Sequence, residues 1–357
     1  MRIENDVKLD FCDVLIRPKR SEAASRSKVD LVRTFNRNNP NDDILHSKMW
    51  TGIPILAANM DTTGTFQMAM ALGSLGVGTC LHKHYTAAQL IEFFNHNSKF
   101  REIGVGDKVF YTLGVTDDDL AKFREVRDKT VGHLFNVCID VANGYSAAFV
   151  DKVRKFIEEN PGMFVMAGNV ATPDMVQELV MAGVDIVKVG IGPGSVCTTR
   201  LVSGVGYPQL SAIIECADAA HGLGGLICSD GGCKQPGDVS KAFGAGSDFV
   251  MLGGMLAGTD ECDGKWYYDD DGKKSNLIFY GMSSKEAMDK YSGGVAGYRA
   301  AEGKCSLIPA KGPAKEVMQT ILGGLRSACA YSGAMKLKDL SKCTTFVRVN
   351  RVHESPF

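Results

Sequence analysis

The sequence lacks the features that direct a protein to a membrane or to a polyanion. No run of residues approaches the roughly 20 apolar residues that a membrane helix needs. The opening residues, Met1 to Asp6, contain no apolar core of a signal peptide. The 40 basic and 41 acidic residues leave a net charge of −1, so no overall positive field favours nucleic acid or an anionic membrane. We therefore expect a cytoplasmic protein with small-molecule partners, no nucleic-acid partner and no membrane partner.

A disulfide framework is also missing. The eleven cysteines are an odd number, and no two of them form a Cys-x-x-Cys pair. This pattern is typical of a reducing compartment, in which most free thiols are small buried side chains. The 357 residues are 45% hydrophobic and 23% charged, which excludes disorder and a collagen-like fibre and suffices for one large domain or two ordinary ones.

Glycine is abundant, with 40 residues that gather where short apolar runs end. Several of these runs are nearly continuous, as in parallel strands buried on both faces, and helical patterns follow them, for example after Thr86 and at Thr172-Pro173-Asp174, where a hydroxyl can cap the helix. Eight strand–helix alternations predict an α/β protein with a closed (β/α)8 TIM barrel as a single domain over residues 1–357, and an open doubly wound sheet is the alternative. The runs fall at about 53–59, 76–81, 108–114, 133–140, 163–168, 185–190, 226–230 and 247–252.

Two long intervals interrupt this rhythm, one after the sixth predicted strand and one at about 255–315, after the eighth. In a barrel both would emerge at the carboxyl ends of the strands, where catalytic groups lie. The second interval contains a predicted hairpin around Asp269–Gly272 and precedes a helical pattern at 314–325, so it predicts an active-site flap. A calcium loop at the aspartates is the alternative to a solvated turn, but the remaining ligand spacing is missing.

The first interval begins with a glycine-rich loop, Gly190–Gly194, that only superficially matches a dinucleotide fingerprint, because the third glycine is misplaced and Pro193 interrupts it. Glycines there let the main chain approach a ligand or expose carbonyls to a monovalent cation, and a tight loop without a ligand is equally consistent. Cys197 follows, with Thr198, Thr199 and Arg200 directly after it. These polar surroundings suit a nucleophilic thiol, and a packed structural thiol is the alternative.

Glycine pairs also follow the seventh and eighth predicted strands, at Gly231-Gly232 and Gly253-Gly254. Backbone N–H groups at such turns can cradle a phosphate, and barrels commonly hold one at this place. Asp230 beside the first pair would repel phosphate but would accept hydrogen bonds from ribose hydroxyls. Together these turns predict a nucleoside monophosphate site, with two sterically required barrel turns as the alternative.

Six motifs, in order along the chain, resemble the IMP dehydrogenase/GMP reductase family. The resemblance runs from Lys8 to near the C-terminus and implies a (β/α)8 barrel, a cysteine that attacks purine C2, a monovalent-cation loop and a mobile flap. The motifs are Asp140–Tyr145, Met166–Val170, Gly192–Arg200, Ser229–Gly232, Met251–Gly254 and Tyr280–Ser284.

Three features favour the reductase branch of this family. The interval 60–108 is too short for the regulatory domain pair that dehydrogenases usually carry, and the runs Gly204–Gln209 and Tyr298–Lys304 are similar to those of reductases. The arginine–tyrosine dyad by which dehydrogenases activate water is not evident. Gly297 departs from the pattern, because an acidic residue is expected there.

The resemblance implies reduction of GMP by NADPH to IMP and ammonia, in purine salvage and interconversion, through a covalent thioimidate on Cys197. It implies that Thr199 and Glu302 handle protons near C2, where the alternatives are a loop-capping threonine and a solvated glutamate. A flavin-dependent barrel oxidoreductase and a purine-binding protein without turnover are the rival functions.

The resemblance also assigns the remaining site residues. For GMP, it implies phosphate contacts by Ser195, Gly232 and Gly254, a ribose contact by Asp230, purine contacts by Gly281, Met282 and Ser283, and flap contacts by Arg299 and Glu302. Gly231, Gly253 and Gly303 are further implied substrate contacts. For the nicotinamide end of NADPH it implies Lys83, Asp140, Val141, Ala142, Asn169, Met282, Tyr298 and Arg299. For the adenosine end it implies Ser327, Ala328, Cys329 and Ala330. In a homotetramer, a neighbouring chain would add Ser25 and Arg26, whose guanidinium suits a 2′-phosphate. Potassium would be held at Gly192, Gly194, Cys197 and Arg200.

Overall fold

The computed structural model of the protein describes residues 3–21, 25–37, 48–96, 105–130 and 136–350. Two short strands, β1 (Val14–Ile16) and β2 (Arg33–Asn36), precede a ring of eight parallel strands. The ring closes because the last of its strands pairs with both its predecessor and the first. Its members are β3 (Met49–Ala57), β4 (Val77–Cys80), β5 (Val109–Leu113), β6 (Asn136–Asp140), β7 (Phe164–Val170), β8 (Ile186–Val189), β9 (Leu226–Asp230) and β10 (Phe249–Leu252).

The predicted (β/α)8 barrel is therefore confirmed, and the open doubly wound sheet is excluded. Each of the eight predicted apolar runs corresponds to one barrel strand, although the first three residues of the run 133–140 lie outside the described residues. The runs were recognisable because both faces of a barrel strand are covered, by the interior on one side and by helices on the other.

Among the described residues, helices alternate with the strands, and most of them cover the barrel. They are α1 (Phe66–Gly73), α2 (Ala87–His96), α3 (Asp117–Lys129), α4 (Ala147–Glu159), α5 (Pro173–Met181), α6 (Thr199–Val202), α7 (Gln209–Gly222), α8 (Pro236–Gly244), α9 (Lys285–Tyr291), α10 (Ala314–Ser332) and α11 (Leu340–Cys343). No helix among the described residues has the length and apolar character needed to cross a membrane.

Helix starts follow the predicted chemistry with one difference. Thr86 and Gln89 cap α2 reciprocally, with the Gln89 N–H donating to Thr86 Oγ1 at 3.3 Å and the Thr86 N–H donating to Gln89 Oε1 at 2.9 Å. Pro173 opens α5 as expected, but the Thr172 hydroxyl does not cap that helix. The Thr172 hydroxyl instead forms a hydrogen bond of 3.0 Å with the hydroxyl of Tyr145, which lies in the loop between β6 and α4.

The barrel interior is filled by large aromatic side chains and small thiols. Phe110, Phe164 and Phe249 pack with Cys80 and Cys138, all of them fully or almost fully buried. Six of the eleven cysteines are buried, as expected for free thiols that act as small hydrophobic residues.

The predicted flap is a three-stranded antiparallel sheet with one helix. Its strands are β11 (Trp266–Tyr268), β12 (Lys274–Tyr280) and β13 (Cys305–Pro309), and α9 lies between the last two. The turn between β11 and β12 is closed by Asp269, whose Oδ1 accepts hydrogen bonds from the backbone of Asp271 and Lys273 at 3.1 and 2.8 Å. The carboxylate thus closes a hairpin turn. A last strand, β14 (Phe346–Arg348), pairs with β1.

Candidate active site

A cleft of about 260 Å³ opens at the carboxyl ends of the barrel strands. Its walls come from the ends of β3, β6, β7, β8, β9 and β10 and from the flap turn after β12. This is the face of a barrel at which ligands bind and chemistry takes place. The cleft includes most of the residues that the sequence assigned to GMP and to the nicotinamide.

One wall of the cleft joins the three predicted catalytic residues. The Cys197 thiol donates to Thr199 Oγ1 at 3.2 Å. Glu302 approaches from the flap, where its carbonyl accepts a hydrogen bond from the Thr198 N–H at 3.0 Å. Cys197 also forms an isolated β-bridge with Gly303. Backbone hydrogen bonds therefore join the flap segment 302–304 to the loop 190–200, which we call the thiol loop. Cys197, Thr199 and Glu302 all line the cleft.

The thiol loop can take its path only because glycine occupies its tightest positions. Gly190 has φ +154°, and a Cβ there would collide with the carbonyl of Asp230. Gly192 has φ +87° and lies under the aliphatic part of Arg200. The Arg200 guanidinium donates hydrogen bonds to Asp10 Oδ2 at 3.1 Å and to the carbonyl oxygen of Tyr207 at 2.5 Å. The Arg200 side chain thus supports the loop and does not line the cleft.

The neighbouring wall of the cleft consists of the two predicted glycine turns. Gly231 and Gly232 have φ values of +87° and +86°, and a Cβ on Gly231 would come within 3.2 Å of the Gly194 nitrogen. A Cβ on Gly254 would lie 2.6 Å from the Ser195 hydroxyl oxygen. Ser195 therefore touches the turn after β10 while Gly194 touches the turn after β9. A side chain in place of Gly231 or Gly254 would therefore crowd this loop, whereas the backbone N–H groups of such turns can hold a phosphate.

The floor of the cleft holds a buried lysine that the sequence analysis missed. Lys188 lies in β8 and is 4% exposed. Its Nζ is 2.5 Å from Asp140 Oδ1 and 3.0 Å from Asp230 Oδ2. Asn169 Nδ2 donates to the same oxygen of Asp230 at 2.8 Å. The ammonium thus links the carboxylate assigned to the ribose with the one assigned to the nicotinamide.

The Lys188 ammonium explains why the carboxylates of Asp140 and Asp230 can lie at the floor of the cleft. Burial alone would raise the pKa of Asp140, but the adjacent Lys188 ammonium outweighs burial and holds that pKa below its ordinary value. Conversely, burial would lower the pKa of Lys188, and the charges of Asp140 and Asp230 raise it well above its ordinary value. Asp140 and Lys188 are therefore both charged at neutral pH. The signal in the sequence was a single lysine inside the otherwise apolar strand Ile186–Val189.

Several predicted residues lie outside the cleft. Lys83 does not line it, although its charge contributes to lowering the Asp140 pKa. On the flap, Arg299 is exposed and Tyr298 is 89% exposed. Gly303 forms bridges with Cys197 and Ser284 behind the cleft wall. Asn59 and Met60, which the sequence analysis did not single out, do line the cleft.

The residues assigned to the cofactor adenosine form a separate group on the outside of the barrel. Ser327, Ala328, Cys329 and Ala330 belong to α10, and the guanidinium carbon of Arg26 lies 5.6 Å from the ring centre of Tyr331 on the same helix. At about 1.5 Å per residue, Ser327 lies roughly 20 Å along the axis from the helix start, which directly follows the flap. Cys329 is fully buried, so its side chain packs in the core.

The barrel is closed, and its last two strands end in glycine turns beside the loop that carries the Cys197 thiol. A flap borders the same cleft. This architecture is typical of barrel enzymes that bind a phosphorylated ligand. The chain belongs to the IMP dehydrogenase/GMP reductase family, because the model of the IMP dehydrogenase / GMP reductase domain matches residues 8–355.

Similarity to individual proteins is also extensive. The chain is 56% identical to the GMP reductases of Escherichia coli O1:K1 and of Escherichia coli strain K12 / DH10B over 350 residues, which cover 98% of this chain and 97% of each relative. Among solved structures it resembles a cysteine-to-alanine variant of GMP reductase from Trypanosoma brucei in complex with guanosine 5′-monophosphate. The TM-score is 0.82 at 25% identity, over 97% of this chain and 96% of that one.

Proposed function

We propose that this protein is a GMP reductase that converts GMP and NADPH to IMP, ammonia and NADP, a reaction of purine salvage and interconversion. The observation that carries the proposal is the contact of Cys197 with Thr199 in a cleft that Glu302 completes from the flap. The E. coli relatives named GMP reductase match nearly the whole chain, which supports the same assignment.

GMP would lie between the glycine turns and the thiol loop. Ser195 and the turns Gly231-Gly232 and Gly253-Gly254 would hold the phosphate. Asp230 would accept hydrogen bonds from the ribose hydroxyls, because Lys188 and Asn169 both bind Oδ2 and fix the orientation of the carboxylate. Gly281, Met282 and Ser283 would lie along the purine, which brings C2 towards Cys197.

Cys197 would act as the nucleophile. Its sulfur bonds to purine C2, and the bond from C2 to the exocyclic nitrogen breaks, so ammonia leaves and a thioimidate remains. An amine leaves only when protonated, and Thr199 is within hydrogen-bond distance of the thiol to pass on that proton, with Glu302 as its partner. NADPH, when bound, supplies the hydride that reduces C2. The bond from C2 to sulfur then breaks, which returns the thiolate and releases IMP.

The nicotinamide would lie beside GMP in the same cleft. Asp140, Val141, Ala142, Asn169 and Met282 all line this cleft. These residues would hold the ring next to C2 and keep water out. Tyr298 and Arg299 are exposed on the flap, from where they would close over the bound ligands.

Potassium would bind to backbone carbonyls of the thiol loop. Gly192, Gly194, Cys197 and Arg200 offer oxygen donors of the type that a hard monovalent cation takes, and a bound cation would stiffen the loop. The Gly194 carbonyl already accepts a hydrogen bond from the Cys197 N–H at 3.0 Å, so one of its lone pairs is occupied. The fit is therefore partial.

A homotetramer would complete the cofactor site. Ser25, Arg26 and the segment 327–330 form one surface on the outside of the barrel, away from the cleft of their own chain. If they bind the adenosine end of NADPH, they serve the cleft of a neighbouring chain. Arg26 would then pair with the 2′-phosphate and favour NADPH over NADH.

The direct test compares the two possible directions of reaction. The protein is mixed with GMP and NADPH, and separately with IMP and NAD in potassium buffer, and absorbance is followed at the reduced-nicotinamide band. We expect loss of NADPH in the first mixture only. NADH formation in the second mixture without NADPH loss in the first would overturn the proposal.

The nucleophile is tested with two cysteine variants. Cys197→Ala should abolish turnover and leave GMP binding, measured by calorimetry, largely intact. Cys305→Ala removes an exposed flap thiol and should leave both properties unchanged. Full turnover in Cys197→Ala would contradict the covalent mechanism.

A further inference from the structure

A buried carboxylate outside the cleft connects the barrel to the flap. Asp61 lies in the loop after β3 and is 4% exposed. Its Oδ2 accepts three hydrogen bonds, from the Tyr280 hydroxyl at 2.6 Å, the Tyr291 hydroxyl at 2.7 Å and the Lys290 ammonium at 2.9 Å. Tyr280 ends β12, while Lys290 and Tyr291 end α9. One oxygen therefore holds both ends of the segment Tyr280–Tyr291, and we call these four residues the clasp.

The neutral rings around the clasp leave Lys290 as the cation that contacts Asp61. The ring of His84 stacks on Tyr291 with centroids 3.5 Å apart and an interplanar angle of 11°. Burial lowers the pKa of His82 and of His84 to about 4, so both rings are neutral at pH 7. The second oxygen of Asp61, Oδ1, is buried without a hydrogen-bond partner among the described residues. Such a buried charge is tolerated only because three donors converge on its other oxygen.

The segment held by the clasp leads directly to the proposed catalytic wall. It contains Met282 and Ser283, which line the cleft. The Ser283 carbonyl accepts a hydrogen bond from the Glu302 N–H at 2.9 Å, and the Glu302 carbonyl accepts one from the Thr198 N–H at 3.0 Å. A continuous series of contacts thus runs from Asp61 through the turn after β12 to Glu302 and the thiol loop.

We propose that Asp61 is a positioning residue, whose carboxylate fixes the turn Gly281–Ser283 and, through Ser283, holds Glu302 in place beside Cys197 and Thr199. The proposal rests on the proposed function, since it assigns Glu302 a part in the reaction. Asp61 itself does not line the cleft, so it acts only through the segment that it holds.

The chain offers a matched control on the same helix. Asp289 of α9 pairs with Lys285 at 2.5 Å, and both side chains are exposed. Asp289→Asn therefore removes one carboxylate from the same element without touching the clasp, and exposed pairs of this kind contribute little to stability. Asp61→Asn keeps the shape of the side chain but removes the charge that faces Lys290, and Tyr280→Phe removes a single clasp hydroxyl.

The first measurement is hydrogen exchange of the ligand-free protein, which does not depend on any reaction. Asp61→Asn should increase exchange in the segments 280–291 and 300–304 and in the thiol loop, with no change in α4 and α5 on the other side of the barrel. Asp289→Asn should resemble the wild type. Unchanged exchange in Asp61→Asn would overturn the proposal. Increased exchange throughout the protein would show general destabilisation and would overturn it as well.

The second measurement separates positioning from stability. A misplaced Glu302 should lower kcat for NADPH oxidation with GMP by roughly ten- to a hundredfold in Asp61→Asn. In a Glu302→Gln background, Asp61→Asn should change kcat by less than about twofold, because Asp61 acts on the reaction only through Glu302. Losses that multiply in the double variant would contradict the proposal. If the wild type does not consume NADPH with GMP, the proposed function fails, while hydrogen exchange still decides whether the clasp holds the flap.

Discussion

Cys197 differs from the other cysteines in its neighbours. Burial raises the pKa of Cys216 and of Cys329 to about 12, so these thiols stay protonated at neutral pH. Cys197 is only partly buried and touches the hydroxyl of Thr199 in a cleft that a ligand can enter. A thiol that acts as a nucleophile needs access to the ligand and a polar neighbour, and Cys197 has both.

Thr199 and Glu302 should behave as one unit, because loss of ammonia needs a proton that a thiolate cannot supply. We expect Thr199→Ala and Glu302→Gln each to lower kcat strongly and the double variant to be no worse than the poorer single one. Rates of NADPH oxidation at saturating GMP measure this. If the two losses multiply, the residues act independently and the assigned proton route is wrong.

At the same scale, the sequence indicated residues that local motifs carry, but not the contacts that only the closed barrel forms. Cys197 and Thr199 are two positions apart, and their polar loop was visible. Lys188 was missed because its partners Asp140 and Asp230 lie on two other strands. Asp61 was missed for the same reason, since Tyr280 and Tyr291 are 219 and 230 residues away. Periodicity does not report such distant contacts.

At the scale of elements, α10 contains a glycine that its packing does not require. A Cβ on Gly323 would meet no atom within 4 Å, whereas one on Gly324 would lie 3.3 Å from Pro236 Cβ at the start of α8. Gly323→Ala should therefore raise the free energy of unfolding by about 0.5–1 kcal/mol, because alanine loses less backbone entropy in a helix. Chemical denaturation measures the change, with Gly324→Ala as the comparison.

Gly324→Ala should gain less than Gly323→Ala, because its new methyl group meets Pro236 at a distance that is tighter than ordinary contact. Equal gains in the two variants would mean that α8 moves aside without cost. A loss of stability in Gly323→Ala would contradict the claim that this face of the helix is open.

The end of α7 carries a pH-dependent contact. His221 Nε2 lies 2.8 Å from Asp248 Oδ2, and the other oxygen of Asp248 pairs with Arg33 at 3.1 Å. The hydrogen bond to Asp248 raises the pKa of His221 above its ordinary value. Because the folded-state pKa exceeds the unfolded one, this contact stabilises fully below about pH 6.5 and is lost as pH rises through the folded pKa.

We therefore expect His221→Gln to lower the melting temperature most at about pH 5.5–6 and least at about pH 8.5. Thermal unfolding of both proteins across this range measures the difference. A difference that is constant with pH would show that His221 contributes by packing alone. A difference that grows with pH would reverse the sign of the argument.

At the scale of the whole molecule, the proposed tetramer requires each chain to offer two half-sites on different faces. The cleft with Cys197 opens at the carboxyl ends of the strands, and the surface with Arg26 and Ser327 lies on the outside of the barrel. In the proposed tetramer the cleft of one chain and the Arg26 surface of another bind one cofactor. A variant at Arg26 should then impair the site of its neighbour rather than its own.

Mixed assemblies test this arrangement. Arg26→Ala alone should weaken NADPH binding by roughly ten- to a hundredfold, from the loss of about 1.5–3 kcal/mol of charged phosphate contact. When Arg26→Ala and Cys197→Ala chains are unfolded and refolded together, some intact Cys197 clefts should face an intact Arg26, so turnover at low NADPH should exceed that of either parent. Mixing Cys197→Ala with Thr199→Ala is the control, because both changes lie in the same cleft and no mixture restores one. Turnover of the first mixture that does not exceed half that of the Arg26→Ala parent would place Arg26 in the site of its own chain or outside the cofactor site altogether.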